Sequence, residues 1–217
     1  MAKAAGGVLA LVLSLAFSGA AWAEGPAPGP ARKAEFVHVA ASTSAHELVD
    51  WVVATDDAGG RPFVVVDKVN ATASAFRADG SLLGASPALV GLGRGDESPP
   101  GIGERKLSTI KPSERITPAG RFSASLGRNL RGEDIVWVDY AAAVSLHRVA
   151  TQVRGERRLE RLATPSPLDN RISYGCINVP AVFYDQVVKP IFATGPAIVY
   201  VLPETRTVAE VFIRPGA

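Results

Sequence analysis

Cys176 is the only cysteine of the 217-residue sequence, and it stands in the run Ile172-Ser173-Tyr174-Gly175-Cys176-Ile177-Asn178-Val179-Pro180. With no second cysteine in the chain, three fates are open to it: a small buried hydrophobe, a bridge to another chain, or a free nucleophile. A thiol attacks as its thiolate, so it becomes useful where a base or a cation draws off its proton. An unperturbed thiol titrates near ~8.5 and an imidazole near ~6.5, so a close pair can hold thiolate and imidazolium around neutral pH. Of the three histidines, His38, His46 and His147, only His147 lies on a strand pattern in the same half as Cys176. Its bland alternative is a satisfied core histidine. If its strand ends beside the Gly175-Cys176 turn, the pair suits covalent acyl chemistry. A third group must then hold the imidazole in one tautomer. No Asp or Asn stands out for this, so a backbone carbonyl and a side chain both remain open. Gly175 lets the chain bend tightly before the nucleophile and lets nearby amides face a tetrahedral oxyanion.

Other chemistries find less support. One cysteine and three scattered histidines lack metal-ligand spacing such as His-Glu-x-x-His, so a metal site finds little support. No Gly-x-Ser-x-Gly occurs, which argues against a serine hydrolase. Gly91 to Gly103 is glycine-rich but is followed neither by Lys-Ser/Thr nor by a helix pattern, and reads as a mobile surface loop rather than a phosphate cradle. Basic and acidic residues nearly cancel, 23 against 21. A nucleic-acid binder would show a strong basic excess, so no such partner is expected. The one basic cluster, Arg154 to Arg161, also carries Glu156 and Glu160 and reads first as a solvated segment.

The elements that must position the pair are mostly strands. Ser44-Ala45-His46-Glu47 has the pattern of a capping box, and Leu48, Trp51 and Val52 follow at helical spacing up to Gly59-Gly60. His46 then sits on the surface of the first turn. From Pro62 the period changes to that of strands: Phe63 to Val69, Thr72 to Arg77, an Asp79-Gly80 turn, Leu82-Leu83, and Ala88 to Val90 continuing the meander. Thr117-Pro118-Ala119-Gly120-Arg121-Phe122 suits a tight turn into a strand. Ile135 to Tyr140 and Ala143 to Val149 are further strands, the second carrying His147. Arg154 to Leu162 suits a short charged helix. Pro180 can open a helix that buries Val182, Phe183, Val187 and Val188 and ends at Pro190. Ala197 to Leu202 is the last strand. The sum is a mainly β chain with two or three helices and no alternating βαβ rhythm.

The first residues suggest export. Lys3 supplies a positive charge, Val8 to Phe17 an apolar stretch, and Ala21-Trp22-Ala23 a cleavage site, so a signal over 1–23 is expected. The apolar stretch falls short of the roughly 20 residues of a membrane span. Pro26, Pro28 and Pro30 mark a leader within 24–61, followed by the helix. A catalytic domain is expected over 62–203 and a tail over 204–217. About 190 residues remain after cleavage, enough for one domain with its own core. A lone cysteine in an oxidising compartment leaves that core, not disulfides, to hold the fold.

With these residues in place, the sequence resembles the L,D-transpeptidases with a YkuD-type catalytic domain. Their signature is a His, a spacer, then Ser/Thr-His-Gly-Cys-x-Asn/Arg, and His147, Ser173, Gly175, Cys176 and Asn178 match it. Thr117 to Phe122 resembles the family's Thr-Pro-x-Gly-x-Phe strand, and the Phe63 to Val90 region its opening hairpins. The resemblance implies a β-sandwich-like fold and thiol acyl transfer on peptidoglycan stem peptides in the periplasm or cell envelope. Cys176 would attack the carbonyl between a diamino acid and a terminal D-Ala. His147 would be the base, oriented by a main-chain carbonyl, with no metal or organic cofactor. An amine of a second stem peptide, a lipoprotein lysine or water would accept the acyl group. Water would make the enzyme a carboxypeptidase or amidase, and lost chemistry would leave a wall-binding module. Arg148 and Arg171, beside the candidate pair, would meet the stem peptide's carboxylates or face solvent. The chain departs from the pattern twice. Tyr174 takes the place of the His before Gly-Cys, and a phenol can donate a hydrogen bond but carries no positive charge. The spacer between His147 and Ser173 is long, and its Arg154 to Leu162 segment would be a lid or a surface elaboration.

Overall fold

A computed structural model describes Met1 and residues 41–213. The expected signal, the Pro-rich leader and His38 lie outside the described residues. In chain order the elements begin with helix α1 (Thr43–Thr55) and strands β1 (Phe63–Asp67), β2 (Thr72–Phe76), β3 (Leu82–Pro87) and β4 (Val90–Gly91). Strands β5 (Gly120–Arg128), β6 (Asp134–Asp139) and β7 (Val144–Arg148) follow, then α2 (Arg158–Ala163), β8 (Arg171–Ser173) and β9 (Ile177–Val179). The last part holds α3 (Ala181–Phe183), α4 (Lys189–Ala193) and β10 (Ala197–Val201).

Eight strands form one mixed sheet in the order β3-β2-β1-β10-β5-β6-β7-β9. β1 with β10 and β7 with β9 are parallel, and the other neighbours antiparallel. The sheet nearly closes: Leu89, two residues past edge strand β3, bridges to Asn178 in the opposite edge strand β9. Ala88 to Val90 therefore does not continue the meander. The chain crosses to β9 and then lays β4 parallel to β8 in a separate two-stranded sheet.

The continuous apolar runs of β1 and β10 follow from burial on both faces. Val64, Val66, Val199 and Val201 face one core, closed by Phe183, Tyr184 and Val188 of the segment after β9. Phe63, Val65, Ile198 and Tyr200 face a second core, closed by Leu48, Val49 and Val52 of α1 and by Phe212. Helix α1 and the residues after 204 thus complete the second layer of the β unit.

Local corrections have local causes. Ser42, not Ser44, caps α1: its Oγ accepts from the Ala45 amide at 3.1 Å and donates to Asp67 at 2.6 Å. The helix stops at Thr55, with Asp56 in the left-handed region at φ +52°. Strand β1 stops at Asp67 because that carboxylate captures the amides of Val69 and Asn70, each at 3.0 Å. No turn forms over 117–119, since the Ala119 amide is drawn to the Asp96 carbonyl at 2.9 Å. Pro190 does not end its helix. Between α3 and α4 the chain winds as a π-helix over Tyr184–Val188, and the Lys189 amide reaches back to Tyr184. This wider turn, just before Pro190, lets the helix run on past a residue without an N–H. The shifted winding also leaves Val182 exposed, against expectation, while Phe183 and Val188 stay buried.

The glycine-rich stretch is no surface loop in its first half. Lys68, 1% exposed, donates to the Gly95 carbonyl at 2.6 Å and to Asp96 at 2.8 Å. Asp96 in turn accepts from the amides of Glu204, Thr205 and Arg206. Three short 3-10 turns, Ile102–Glu104, Leu107–Thr109 and Pro112–Glu114, follow.

Candidate active site

Strands β7 and β9 lie in parallel register, with Leu146 opposite Ile177 and His147 opposite Asn178. One step back, Ser145 falls beside Cys176, and its Oγ is 3.5 Å from the Cys176 Sγ. Side chains alternate along a strand, so Ser145 and His147 share a face, as do Cys176 and Asn178. The register therefore carries the imidazole to the thiol across 28 residues of intervening sequence, 176 minus 147 less one.

His147 Nδ1 lies 2.7 Å from the Arg148 carbonyl oxygen. A carbonyl only accepts, so Nδ1 bears the hydrogen and Nε2 keeps its lone pair for a proton. Burial pulls the His147 imidazolium down, but the hydrogen bond and charge of Cys176 outweigh it and raise the group above its ordinary value. Burial pushes the Cys176 thiol up, and its hydrogen bond to His147 and the attraction of the imidazolium bring it below the ordinary value, helped by Ser145. Both shifts favour a thiolate–imidazolium pair on a partly exposed cysteine.

The bend before Cys176 is fixed from below. Gly175 is buried at φ +129°, and a Cβ there would stand 2.7 Å from the Ile116 carbonyl oxygen. Thr117 Oγ1 accepts from the Gly91 amide and donates to the Gly175 carbonyl, each at 2.8 Å. Ser173 Oγ donates to the Cys176 carbonyl at 2.6 Å and accepts from the Gly175 amide at 3.1 Å. The Gly175 amide is thus committed to Ser173, not turned toward an oxyanion; the residue serves the bend. Gly175→Ala is expected to cost on the order of 2 kcal/mol or more, from left-handed strain and the carbonyl contact. Urea unfolding would show it, and a variant as stable as the parent would refute this account of the bend.

Tyr174 is partly exposed, and the Arg115 guanidinium lies 4.0 Å from its ring centroid. A cation therefore flanks the aromatic ring that precedes Gly175-Cys176, supplied by a residue 59 positions upstream, 174 minus 115. Asn178 is 1% exposed and donates to the Cys176 carbonyl at 3.2 Å. Its Oδ1 accepts from Arg158 at 2.7 Å, and Arg158 presses the His147 imidazolium down by charge repulsion.

Arg148 and Arg171 are both held in ion pairs within the fold. Arg148 donates to Asp134 and Asp185 and lies over the Tyr184 ring, so its positive charge is matched within the fold. Arg171 is bound to Glu204 and to the carbonyls of Lys68, Gly91 and Gly93. Sequence reading missed Ser145, Arg115 and Arg158. Ser145 alone carried a signal, standing two residues before His147 on the same strand face. Among the described residues no cluster of three or more His, Cys, Asp or Glu could hold a metal ion, and no helix is long and apolar enough to cross a membrane.

No protein-family model matches the chain, and no curated protein matches it. Solved structures do. The helical cell shape determining protein Pgp2 of Campylobacter jejuni is 14% identical, over 68% of this chain and 49% of that one, with a TM-score of 0.45. L,D-transpeptidase 1 of Mycobacterium tuberculosis is 18% identical, over 65% and 61%, with a TM-score of 0.33. The catalytic domain of an E. faecium L,D-transpeptidase is 18% identical, over 66% and 98%, with a TM-score of 0.31. The chain spans about half the length of the Campylobacter protein. At such scores these likenesses carry no weight of their own, and the functional reading rests on the residues.

Proposed function

We propose that the protein is an exported cysteine L,D-transpeptidase that acts on peptidoglycan stem peptides. The observation that carries this reading is the Cys176–His147 pair, with Nδ1 held on the Arg148 carbonyl and both groups shifted toward the ion pair. The thiolate attacks the carbonyl carbon between the diamino acid and the terminal D-Ala. As the C–N bond breaks, D-Ala leaves as an amine, taking the proton from His147, and a thioester remains on Cys176. An acceptor amine of a second stem peptide, or of a protein, then loses a proton to His147 and attacks the thioester. The new amide forms and the thiolate is released. Ser145 and His147 supply the surroundings in which that thiolate persists.

Cys176→Ala is expected to abolish covalent labelling by a carbapenem and all product formation from stem peptides. Mass spectrometry of the intact protein reads the first. Separation of muropeptides reads the second, where 3–3 linked dimers mark transfer to an amine and shortened monomers mark hydrolysis. Labelling that survives Cys176→Ala would sink the assignment.

A further inference from the structure

On no element that the mechanism uses, the stretch between β7 and β8 forms an open cavity of about 300 Å³ lined by Thr151, Val153, Arg154, Arg157, Arg158 and Leu159, with Glu160 at its wall. Three guanidinium groups therefore line this space with the Glu160 carboxylate, and Arg158 is also paired with Glu156 at 2.6 Å. Arg158 closes the inner wall, and it is the side chain that donates to Asn178, which in turn donates to the Cys176 carbonyl. The cavity is thus two hydrogen bonds from the nucleophile's own main chain, and the charge of Arg158 is felt at His147.

One outer donor is unspent and the other is held only at the surface. Arg154 is exposed, and its side chain has no hydrogen-bond or ion-pair partner among the described residues. Arg157 is paired only with Glu160 across an exposed contact that water screens. Its backbone stands in the left-handed region at φ +51°, an unusual setting for a long side chain. Val153 and Leu159, each 59% exposed, give the cavity apolar walls beside its cations. Forked donors next to apolar surface match a peptide carboxylate with an alkyl stem.

We propose that this cavity is a substrate subsite, in which Arg154 and Arg157 take a carboxylate of the stem peptide while Val153 and Leu159 cover its aliphatic part. The inference rests on the peptide-acyl reading above and adds the anchor that Arg148 and Arg171, both neutralised inside the fold, cannot provide.

The test uses the full chain carrying Cys176→Ala, which binds without turnover. Its ligand is a synthetic tetrapeptide ending in a diamino acid and D-Ala, compared with the same peptide bearing carboxamides in place of carboxylates. Calorimetry is expected to show that R154Q/R157Q weakens the acidic peptide by about tenfold or more, as loss of charged hydrogen bonds requires, and leaves the carboxamide form unchanged. R94Q/R131Q removes the same two charges from exposed sites elsewhere and is expected to change neither. An equal loss in that control, no loss in R154Q/R157Q, or no binding of the acidic peptide to the parent would overturn the subsite. The two readings fail separately. Binding that depends on Arg154 and Arg157 without turnover by the unmutated chain removes the transpeptidase and keeps the subsite. Turnover with a KM that ignores both arginines does the reverse.

Discussion

The His147→Ala chain is expected to acylate Cys176 about a hundredfold to ten-thousandfold more slowly than the parent, the usual worth of a positioned general base. The pH profile gives the more specific reading. In the parent, the hydrogen bond and charge of His147 hold the thiol below its ordinary value in spite of burial. Alkylation by iodoacetamide should therefore rise with pH through a midpoint below that of a free thiol. Without the imidazole, burial is left as the main influence, and the midpoint should move up past the free-thiol value. Deprotonation of the raised His147 would end the imidazolium's help at higher pH, so the parent profile should flatten where the variant is still climbing. Matching midpoints in the two proteins would show that the pair is not coupled.

Lys68→Met is expected to cost about 3–5 kcal/mol of stability, because it leaves the buried Asp96 carboxylate without its close cation. Lys68 donates to Asp96 at 2.8 Å and stands 3.8 Å from Glu204, with both acids almost fully buried. Burial pulls the ammonium down, and Asp96 opposes this. For Asp96, burial pushes the carboxyl up, but the Lys68 hydrogen bond and donors from Thr205 and Glu204 overcome it and hold it well below the ordinary carboxylate range. A depressed carboxylate contributes stability that is fully present above its unfolded pKa and is lost as pH falls through the folded one. The parent should therefore lose stability below about pH 4, and Lys68→Met should lose less there, having lost it already. Denaturant unfolding at pH 7 and pH 3 measures both. A loss under about 1 kcal/mol at pH 7 would mean the cluster relaxes or admits water.

This cluster also shows where sequence reading reaches its limit. The strands were legible because Phe63 to Val66 and Ile198 to Val201 are apolar on both faces, whatever covers them. The pair was legible because residue types around Cys176 and His147 converge on one chemistry. Partners remote in sequence were not. Arg148 and Arg171 read as free cations because their partners Asp134, Asp185 and Glu204 stand far from them in sequence. Lys68 and Asp96 look like ordinary surface residues until the 204–206 segment lies against them. Pro190 reads as a stop because proline removes a bond from regular α-helix, and no local pattern announces a π-helix that removes the need for it.

The parallel pairing of β1 with β10, Phe63 against Ile198, also sets when the completed fold can come into being. The first and last strands of the sheet are neighbours, so the loop to be closed is nearly the whole described chain. Contacts of such separation form slowly, because the entropy of closure is lost before any pairing repays it. Until β10 docks, the strands that carry Cys176 and His147 have no continuous sheet to join to β1. A chain released before its final strand would hold an ordinary, unactivated thiol, so the reactive cysteine is a product of completed folding and not of synthesis.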